Sequence, residues 1–271
     1  MGLRINTNIA SLNASRILRS STLALNKTLE RLSSGLRINR AADDAAGLAI
    51  AEGFRSVVRG TQVAQRNAQD GVSLVQTAEG ALSETTNILQ RIRELAVQAA
   101  NGTQSDLNRL AMDTEVAQLL AQIDDIALDT EFNGVNVLSA AQTITLQAGA
   151  QEGQTLVISV SGAKSNDLKI SKVTISSMTG AVNAISTIDG ALQSVSTLRS
   201  TLGAFQNRLE FTINTLAIQE ENSAAAESAI RDANIATETI AFTRNQILVS
   251  AGTAVLAQAN VVPQTALQLL G

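Results

Sequence analysis

Catalytic chemistry in this 271-residue chain would have to come from a narrow set of side chains. The sequence contains no His and no Cys, so the usual general base, the commonest metal ligand and every thiolate nucleophile are absent. The only lysines are Lys27, Lys164, Lys169 and Lys172, and no serine lies in the Gly-framed elbow that hydrolases use. We therefore expect no enzymatic activity, no metal site and no cofactor.

The adjacent carboxylates Asp43 and Asp44 form the most site-like pair, within the stretch RAADDAAGLAIAEGFR. A metal ion would need further ligands, and neither EF-hand spacing nor a third ligand lies nearby. Because the pair stands at the beginning of a predicted helix, we expect it to cap that helix and to match its dipole. A second acidic pair, Asp124 and Asp125, is expected to lie on a solvated helix face.

Charge is unevenly distributed along the sequence, although the net charge is only −4. Seven basic residues and a single acidic one, Glu30, precede Asp43, which is compatible with a transit peptide or a nucleic-acid-binding arm. Neither explains the far end, because residues 245–271 contain no charged side chain. Gln and Asn residues interrupt the apolar runs there, so an amphipathic helix that packs on another helix is a better prediction than a membrane span.

Apolar periodicity predicts a mainly α fold, an elongated antiparallel coiled-coil-like helical rod with a small β-hairpin region. Helices are predicted over about 5–33, 44–100, 105–129, 182–234 and 236–268, with Gly35 ending the first and Ser105 capping the third. In the second and fourth helices, apolar residues recur every seven positions, as they do in coiled coils. Alternation over 144–148 and 156–160 predicts a hairpin. A short strand at Val173 and Ile175 is a further expectation.

The first and last helices carry apolar residues on broad arcs, and a chain of this shape has little else to cover them. Each Leu or Ile left in water forgoes about 1.5–3 kcal/mol that burial would provide. We therefore expect these helices to meet and to be buried between subunits. The residues expected to make the contacts are Ile5, Ile9, Leu12, Leu18, Leu25 and Leu29 of the first helix and Ile247, Val255, Leu256 and Val262 of the last.

Long motifs in a fixed order resemble bacterial flagellin at both ends of the chain. They include LERLSSGLRINRAADDAAGLAIAEGFRS, NAQDGVSLVQTAEGAL and ILQRIRELAVQAANGT in the first half. LGAFQNRLEFTINTL, AESAIRDANIATETIAFTRNQIL and AGTAVLAQANVVPQTALQLL follow in the second half. The resemblance covers roughly residues 1–138 and 180–271. It implies the self-assembling subunit of an extracellular flagellar filament that serves motility.

The resemblance also implies an organisation and a set of partners. Residues 1–40 and 240–271 would form an inner domain, and residues 41–239 an outer helical domain with its hairpin near 142–176. The variable outer domains of larger relatives would be absent. The subunit would leave the cell unfolded through the flagellar export apparatus, with an export chaperone and without a cleaved signal peptide. It would assemble at the tip beneath a cap protein, beyond the hook-junction proteins, with no nucleic-acid partner and no membrane insertion. The related hook–filament junction protein is the alternative identity.

Two groups of residues take roles from the resemblance alone. Four would lie in the spoke between the domains and pair within or between subunits: Arg37, Arg40, Asp43 and Asp44. LQRIRELAVQ resembles the surface recognised by the animal Toll-like receptor for flagellin, with Gln90, Arg91 and Leu95 matching, and Glu115 on the neighbouring helix. The same surface makes subunit contacts in flagellins, so we expect interface formation to be its primary role. The metalloprotease insert of some flagellins, which needs an H-E-x-x-H motif, is excluded by the lack of His.

Overall fold

The computed structural model describes the backbone of residues 7–268 and the side chains of residues 7–261. Within that range the elements are α1 (Ile9–Ser34), α2 (Ala45–Ala99), α3 (Asp106–Asp129), β1 (Glu131–Phe132), β2 (Val135–Asn136), β3 (Gln142–Gln147), β4 (Thr155–Val160), α4 (Met178–Arg231) and α5 (Ile235–Gln268). The prediction of a mainly α fold with a small β-hairpin region is confirmed. Contacts divide the chain into a central unit, residues 57–221, and a terminal unit, residues 1–56 and 222–271. The division that the resemblance implies, with boundaries at residues 40 and 240, stays a prediction.

Local capping explains where the helices begin and end. The Asn8 side chain accepts the N–H of Ser11 at 3.1 Å and begins α1. Gly35 ends it in the left-handed region, with φ 72°, which suits a residue that has no Cβ. The Ser105 hydroxyl accepts the N–H of Asn108 at 3.2 Å and caps α3. Both predictions are confirmed: Gly35 ends α1 and Ser105 caps the beginning of α3.

The core of the central unit follows the predicted seven-residue spacing. On α2 the residues of this spacing are all fully buried: Ala68, Val75, Leu82, Leu89 and Ala96. On α4 the matching set is Ile188, Val195, Leu202, Leu209 and Leu216, each at most 4% exposed. The two helices run antiparallel, because Arg93 meets Asp189 at 2.7 Å while Gln62 donates to Glu220 at 2.7 Å. Coiled-coil-like packing of long helices therefore forms this core.

The β3–β4 hairpin covers one side of these helices. Its strands pair antiparallel, with Ile144 opposite Ile158, and Leu156, Ile158 and Val160 point into the core. The turn of the hairpin approaches α2 so closely that a Cβ on Gly60 would lie 2.9 Å from the Cβ of Ala150. Glycine at this position is therefore required by the close approach of two backbones.

Two features of the region between α3 and α4 differ from the sequence-based expectation. A small second hairpin, β1–β2, turns at Asn133 and Gly134, which have φ of 51° and 77°, as two-residue hairpin turns require. The predicted strand at Val173 and Ile175 is wrong: residues 161–177 form an irregular segment. Carboxylates of α3 hold that segment in place. The N–H and hydroxyl of Ser165 donate to Asp124 at 2.7 and 2.8 Å.

The N–H of Ile175 donates to Asp113 of α3 in the same way, at 2.6 Å. Ile175 is fully buried although it belongs to no strand. The expectation that Asp124 lies on a solvated face is therefore wrong, because a buried irregular backbone needs acceptors for its N–H groups. Asp125 remains exposed.

In the terminal unit, α1 and α5 pack against each other in opposite directions. The side-chain amide of Asn8 donates to the carbonyl of Ala259 at 2.8 Å. Farther along, Arg31 forms an ion pair with Glu238 at 2.9 Å. Between these points a Cβ on Gly252 would lie 3.2 Å from Leu18, so the small residue lets the two helices approach. The predicted meeting of the two terminal helices is observed.

Candidate functional site

The terminal helix pair, α1 with α5, buries one face of each helix and leaves the opposite face uncovered. Of the residues expected to make subunit contacts, Leu18, Leu25 and Leu256 are half-buried within the pair. The others that the structure describes are exposed: Ile9 by 64%, Leu12 by 64%, Leu29 by 54%, Ile247 by 63% and Val255 by 58%. Ile5 and the side chain of Val262 lie outside the described residues.

The uncovered face of α5 consists of apolar side chains, two threonines and one arginine. Ile240, Ile247 and Leu248 line an open depression of about 420 Å³ together with Thr239, Thr243 and Arg244. These positions recur at the seven- and eight-residue spacing of one helix face. Arg244 is the only charged residue among them. Ile240, Ile247 and Leu248 are therefore exposed apolar side chains that no other part of the described chain covers.

The four residues assigned to the spoke are engaged within the chain. Asp43 pairs with Lys27 at 2.8 Å and accepts the N–H groups of Asn39 and Arg40 at 3.2 and 3.1 Å. The hydrogen bond from Lys27, then those from the two backbone amides, lower the pKa of Asp43 to about 2. Asp44 accepts the N–H of Gly47 at 2.9 Å and caps α2 as predicted. Asp43 was expected to cap the same helix, but it binds backbone N–H groups of the segment that precedes α2.

The two arginines of this group also find partners in the terminal unit. Arg40 pairs with Glu30 at 2.8 Å. Arg37 donates from its guanidinium group to the carbonyl of Ile230, at 3.1 and 2.6 Å. Its backbone N–H donates to the carbonyl of Arg231 at 2.7 Å. These bonds fix the segment between α1 and α2 against the end of α4.

The surface expected to be recognised by a receptor is organised around Arg91 on α2. Its guanidinium group donates to Glu115 of α3 at 2.9 and 3.1 Å and to Glu94 at 3.3 Å. The hydrogen bond with Glu115, followed by that with Glu94, raises the pKa of Arg91. Gln90 is exposed beside it, but Leu95 is only 3% exposed. The structure therefore leaves Gln90, Arg91 and Glu115 exposed and holds Leu95 in the core beneath them.

One residue that the sequence did not single out fixes this surface. Arg109 of α3 is buried, and its Nε donates to the carbonyl of Ala99 at 2.9 Å. Its other nitrogens bind the carbonyl of Asn101 and the carboxylate of Asp106, at 3.2 and 2.9 Å. Arg109 thus satisfies the carbonyl of Ala99 at the end of α2 and gives the carbonyl of Asn101 a second donor beside the N–H of Gln104. An arginine on a predicted helix gives no sign of such a role.

The part of the chain that the structure describes was searched for clusters of metal ligands and for helices that could span a membrane. Within residues 7–261, no three or more Asp or Glu side chains converge where a metal ion would bind. None of the described helices has the length and apolarity needed to cross a membrane.

Comparison with known proteins adds independent information. The family description "Bacterial flagellin N-terminal helical region" matches residues 5–143, and "Bacterial flagellin C-terminal helical region" matches residues 185–270. A flagellin of Halalkalibacterium halodurans is 47% identical, covering 98% of this chain and 99% of its own. The flagellar filament 31.3 kDa core protein of Treponema maltophilum is 44% identical, covering 98% of this chain and 99% of its own.

Among solved structures, a putative flagellar hook-associated protein from Vibrio parahaemolyticus is similar with a TM-score of 0.58 and 13% identity. The match covers 70% of this chain and all of that one. At this level of identity the similarity shows a shared fold and nothing more.

Proposed function

The chain belongs to the bacterial flagellin family and is a structural subunit of the flagellar filament, not an enzyme; from this premise we propose that its terminal helices supply the contacts that join the copies. The filament lies outside the cell and is built from copies of the chain. The observation that carries the proposal is the pair of uncovered apolar faces on α1 and α5. A second copy is the partner that can cover them at every position along a polymer.

The proposal separates two roles among the predicted assembly residues. Leu18, Leu25 and Leu256 hold α1 and α5 together within one copy. Ile9, Leu12, Leu29, Ile247 and Val255 lie on exposed surface and would contact neighbouring copies. Ile5 and Val262 keep their predicted assembly role as part of the proposal. In the same proposal, residues 1–40 and 240–271 form the inner domain and residues 41–239 the outer one.

Truncation of the last helix tests whether the terminal helices are needed for assembly and not for folding of the central unit. The core of the central unit runs from Ala68 to Leu209 and includes no residue of α1 or α5. A chain without residues 245–271 should therefore keep the helical circular-dichroism signal of the central unit, remain in solution and form no filaments. The full chain should form long helical filaments in the electron microscope under the same conditions. Normal filaments from the truncated chain would refute the proposal.

We also propose that the chain leaves the cell unfolded through the flagellar export apparatus, with a chaperone and without cleavage of its N-terminus. It would then fold at the filament tip beneath the cap, next to subunits that begin at the hook junction. The weak covering of α1 and α5 in a single copy supports this route, because such helices lose little by being unfolded in transit. Intact-mass measurement of the protein from native filaments tests it: the loss of an N-terminal segment would contradict uncleaved export.

Recognition by the animal Toll-like receptor for flagellin is a further proposal, for the surface of Gln90, Arg91 and Glu115. The guanidinium of Arg91 and the carboxylate of Glu115 are exposed and hold each other in one geometry, which suits a partner that reads both charges. Arg91→Ala and Glu115→Ala should each weaken receptor signalling by monomers in a reporter-cell assay. Leu95→Ala should act mainly through lower stability of the monomer, because Leu95 is buried.

A hook–filament junction role is the second candidate, which the sequence resemblance left open; the fold shared with the hook-associated protein does not distinguish it from a filament subunit. The family matches at both ends favour the filament subunit. Only a filament subunit has to form long polymers when purified alone, so electron microscopy of the purified chain separates the two roles.

A further inference from the structure

Three arginines of the terminal helix pair have no acidic side chain near them in sequence. No Asp or Glu precedes Glu30, and none follows Glu238. Glu30 and Glu238 are themselves occupied by Arg40 and Arg31. Among the described residues, Arg16, Arg19 and Arg244 form no ion pair, and Arg16 binds only the neutral side chain of Asn13 at 2.9 Å. Any carboxylate that binds these arginines therefore comes from outside this helix pair.

Arg16 and Arg19 lie on the uncovered face of α1. Leu12, Arg16, Arg19 and Leu23 are spaced by four, three and four residues, which places them in one row along a helix. Leu12 and Leu23 are 64% and 63% exposed. The face that α1 turns away from α5 is thus apolar at both ends and basic in the middle.

The missing carboxylates are present in the central unit. Residues 57–221 contain 10 basic and 17 acidic side chains, a net charge of −7, whereas the terminal unit contains 10 and 7, a net charge of +3. Because the two units of one copy carry opposite charge, the terminal unit of one copy is attracted to the central unit of another.

One surface of the central unit carries exposed apolar side chains beside exposed carboxylates. On α4, Phe211 and Ile218 are 72% and 61% exposed and lie seven residues apart, about 10.5 Å along one helix face. Glu210 and Glu221 are exposed beside them and form no ion pair among the described residues. Glu210 accepts only the neutral amide of Gln206, at 3.1 Å. We call this surface, made of Glu210, Phe211, Ile218 and Glu221, the α4 ridge.

We propose that the uncovered face of α1 in one copy packs on the α4 ridge of a neighbouring copy, with Arg16 and Arg19 opposite Glu210 and Glu221. Arg16 and Arg19 lie about 4.5 Å apart along α1, and Glu210 and Glu221 about 16.5 Å apart along α4. The two long arginine side chains therefore extend outward to the carboxylates, while Leu12 and Leu23 pack on Phe211 and Ile218. The contact is head to tail, because it joins two different surfaces and leaves each copy with one of each to offer the next. This inference rests on filament formation by copies of the chain and assigns one of the contacts that forms the filament.

Charge reversal on each side tests the proposal without any need to know which residues pair. In one variant, Arg16→Glu and Arg19→Glu make the α1 face acidic. In the other, Glu210→Arg and Glu221→Arg make the α4 ridge basic. Each variant alone brings like charges together, so its critical concentration for seeded polymerisation should rise at least about tenfold, an estimate from the cost of opposing like charges.

Mixing the two variants supplies the matching control. The acidic α1 face of the first variant meets the basic α4 ridge of the second, and the second variant's own α1 face meets the first variant's ridge in the original pairing. An equimolar mixture should therefore polymerise at a critical concentration close to that of the unchanged chain. A mixture that polymerises no better than its components overturns the proposal, as does normal polymerisation of either variant alone.

A second acidic surface provides a matched control variant. Asp125 and Asp129 flank Leu128 on α3, which is 44% exposed. A chain with Asp125→Arg and Asp129→Arg should polymerise by itself but should not draw the acidic α1 variant into the polymer when the two are mixed. Incorporation of the acidic α1 variant with this chain, and not with the α4 variant, overturns the assignment. All altered side chains are exposed, and thermal unfolding of each monomer checks that it remains folded.

Phe211→Ala keeps the test decisive if a charge-reversed chain fails to fold. It should raise the critical concentration while leaving monomer unfolding unchanged, and unchanged polymerisation overturns the proposal. Failure of the unchanged chain to polymerise would instead refute the filament function itself, so the two failures are distinguishable.

Discussion

Replacing Ile247 by Ala should weaken filament assembly by a predictable amount and leave the single copy unaffected. Ile247 is 63% exposed on the uncovered face of α5. The change removes three carbon groups, worth about 0.8 kcal/mol each on full burial. Only the exposed 63% of the Ile247 side chain remains to be buried in the filament, so the substitution should weaken assembly by about 1.5 kcal/mol per subunit. At about 1.4 kcal/mol per factor of ten, the critical concentration should rise about 12-fold.

The assay is sedimentation of seeded polymers over a range of protein concentrations, with thermal unfolding of the monomer measured in parallel. Ile247→Ala should leave the unfolding free energy of the monomer within about 0.5 kcal/mol, because the side chain touches little of its own copy. Leu256→Ala is the matched control. Leu256 is half-buried within the terminal helix pair, so this change should lower monomer stability as well as assembly. Equal monomer destabilisation by the two changes, or normal assembly of Ile247→Ala, would refute the reasoning.

Three further predictions concern the stability of the monomer. Because the folded pKa of Asp43 is about 2, below the unfolded value of 3.8, its contribution is present above pH 4 and is lost as the pH falls through about 2. Because Lys27 is half exposed, Asp43→Asn should lower the unfolding free energy of the monomer by only about 1 kcal/mol at neutral pH. In chemical denaturation, the difference in unfolding free energy between the variant and the unchanged chain should shrink below pH 4. The Thr61 hydroxyl is fully buried and has no hydrogen-bond partner among the described atoms. Thr61→Val should therefore raise the unfolding free energy by about 1 kcal/mol, and a loss would contradict the unsatisfied hydroxyl. Arg109→Ala should lower it by about 2–4 kcal/mol, because two carbonyl groups lose a charged donor; a change below 1 kcal/mol would show that water replaces the guanidinium.

The long helices and their core could be predicted from the sequence because both depend on local periodicity. Apolar residues seven apart on α2 and α4 have to meet, and Leu82, Leu89, Leu202 and Leu209 are buried accordingly. Capping is equally local, since Gly35 and Ser105 act through their own backbone neighbours. These elements needed no knowledge of the rest of the chain.

The roles of Asp124 and Leu95 could not be predicted because they depend on residues distant in sequence. The partners of Arg109 are near in sequence, but only the folded turn between α2 and α3 brings their carbonyl groups to its guanidinium group. Asp124 binds Ser165, which is 41 residues away. Leu95 belongs to the motif that resembles a receptor-recognition surface, yet in this chain it is only 3% exposed and forms part of the core. By contrast, the β1–β2 turn carried a readable signal, the Asn133–Gly134 pair, which favours a two-residue hairpin.

The sequence lists every charged residue, but the net charge of each unit could be calculated only after the structure had defined the boundaries of the units. The sequence shows Arg16 and Arg19 on a basic segment without indicating which carboxylates they face. Contacts within the structure show that Glu30 and Glu238 are already paired, and that Glu210 and Glu221 are not paired among the described residues. Only then does the charge distribution point to a second copy.

A helical reconstruction of filaments grown from the purified chain tests the central claim most directly. We expect Ile9, Leu12, Ile247 and Val255, which are exposed in a single copy, to be buried against neighbouring copies in the filament. We also expect Leu18, Leu25 and Leu256 to stay between α1 and α5 of the same copy. A filament in which the exposed faces of α1 and α5 remain in contact with water would contradict the account.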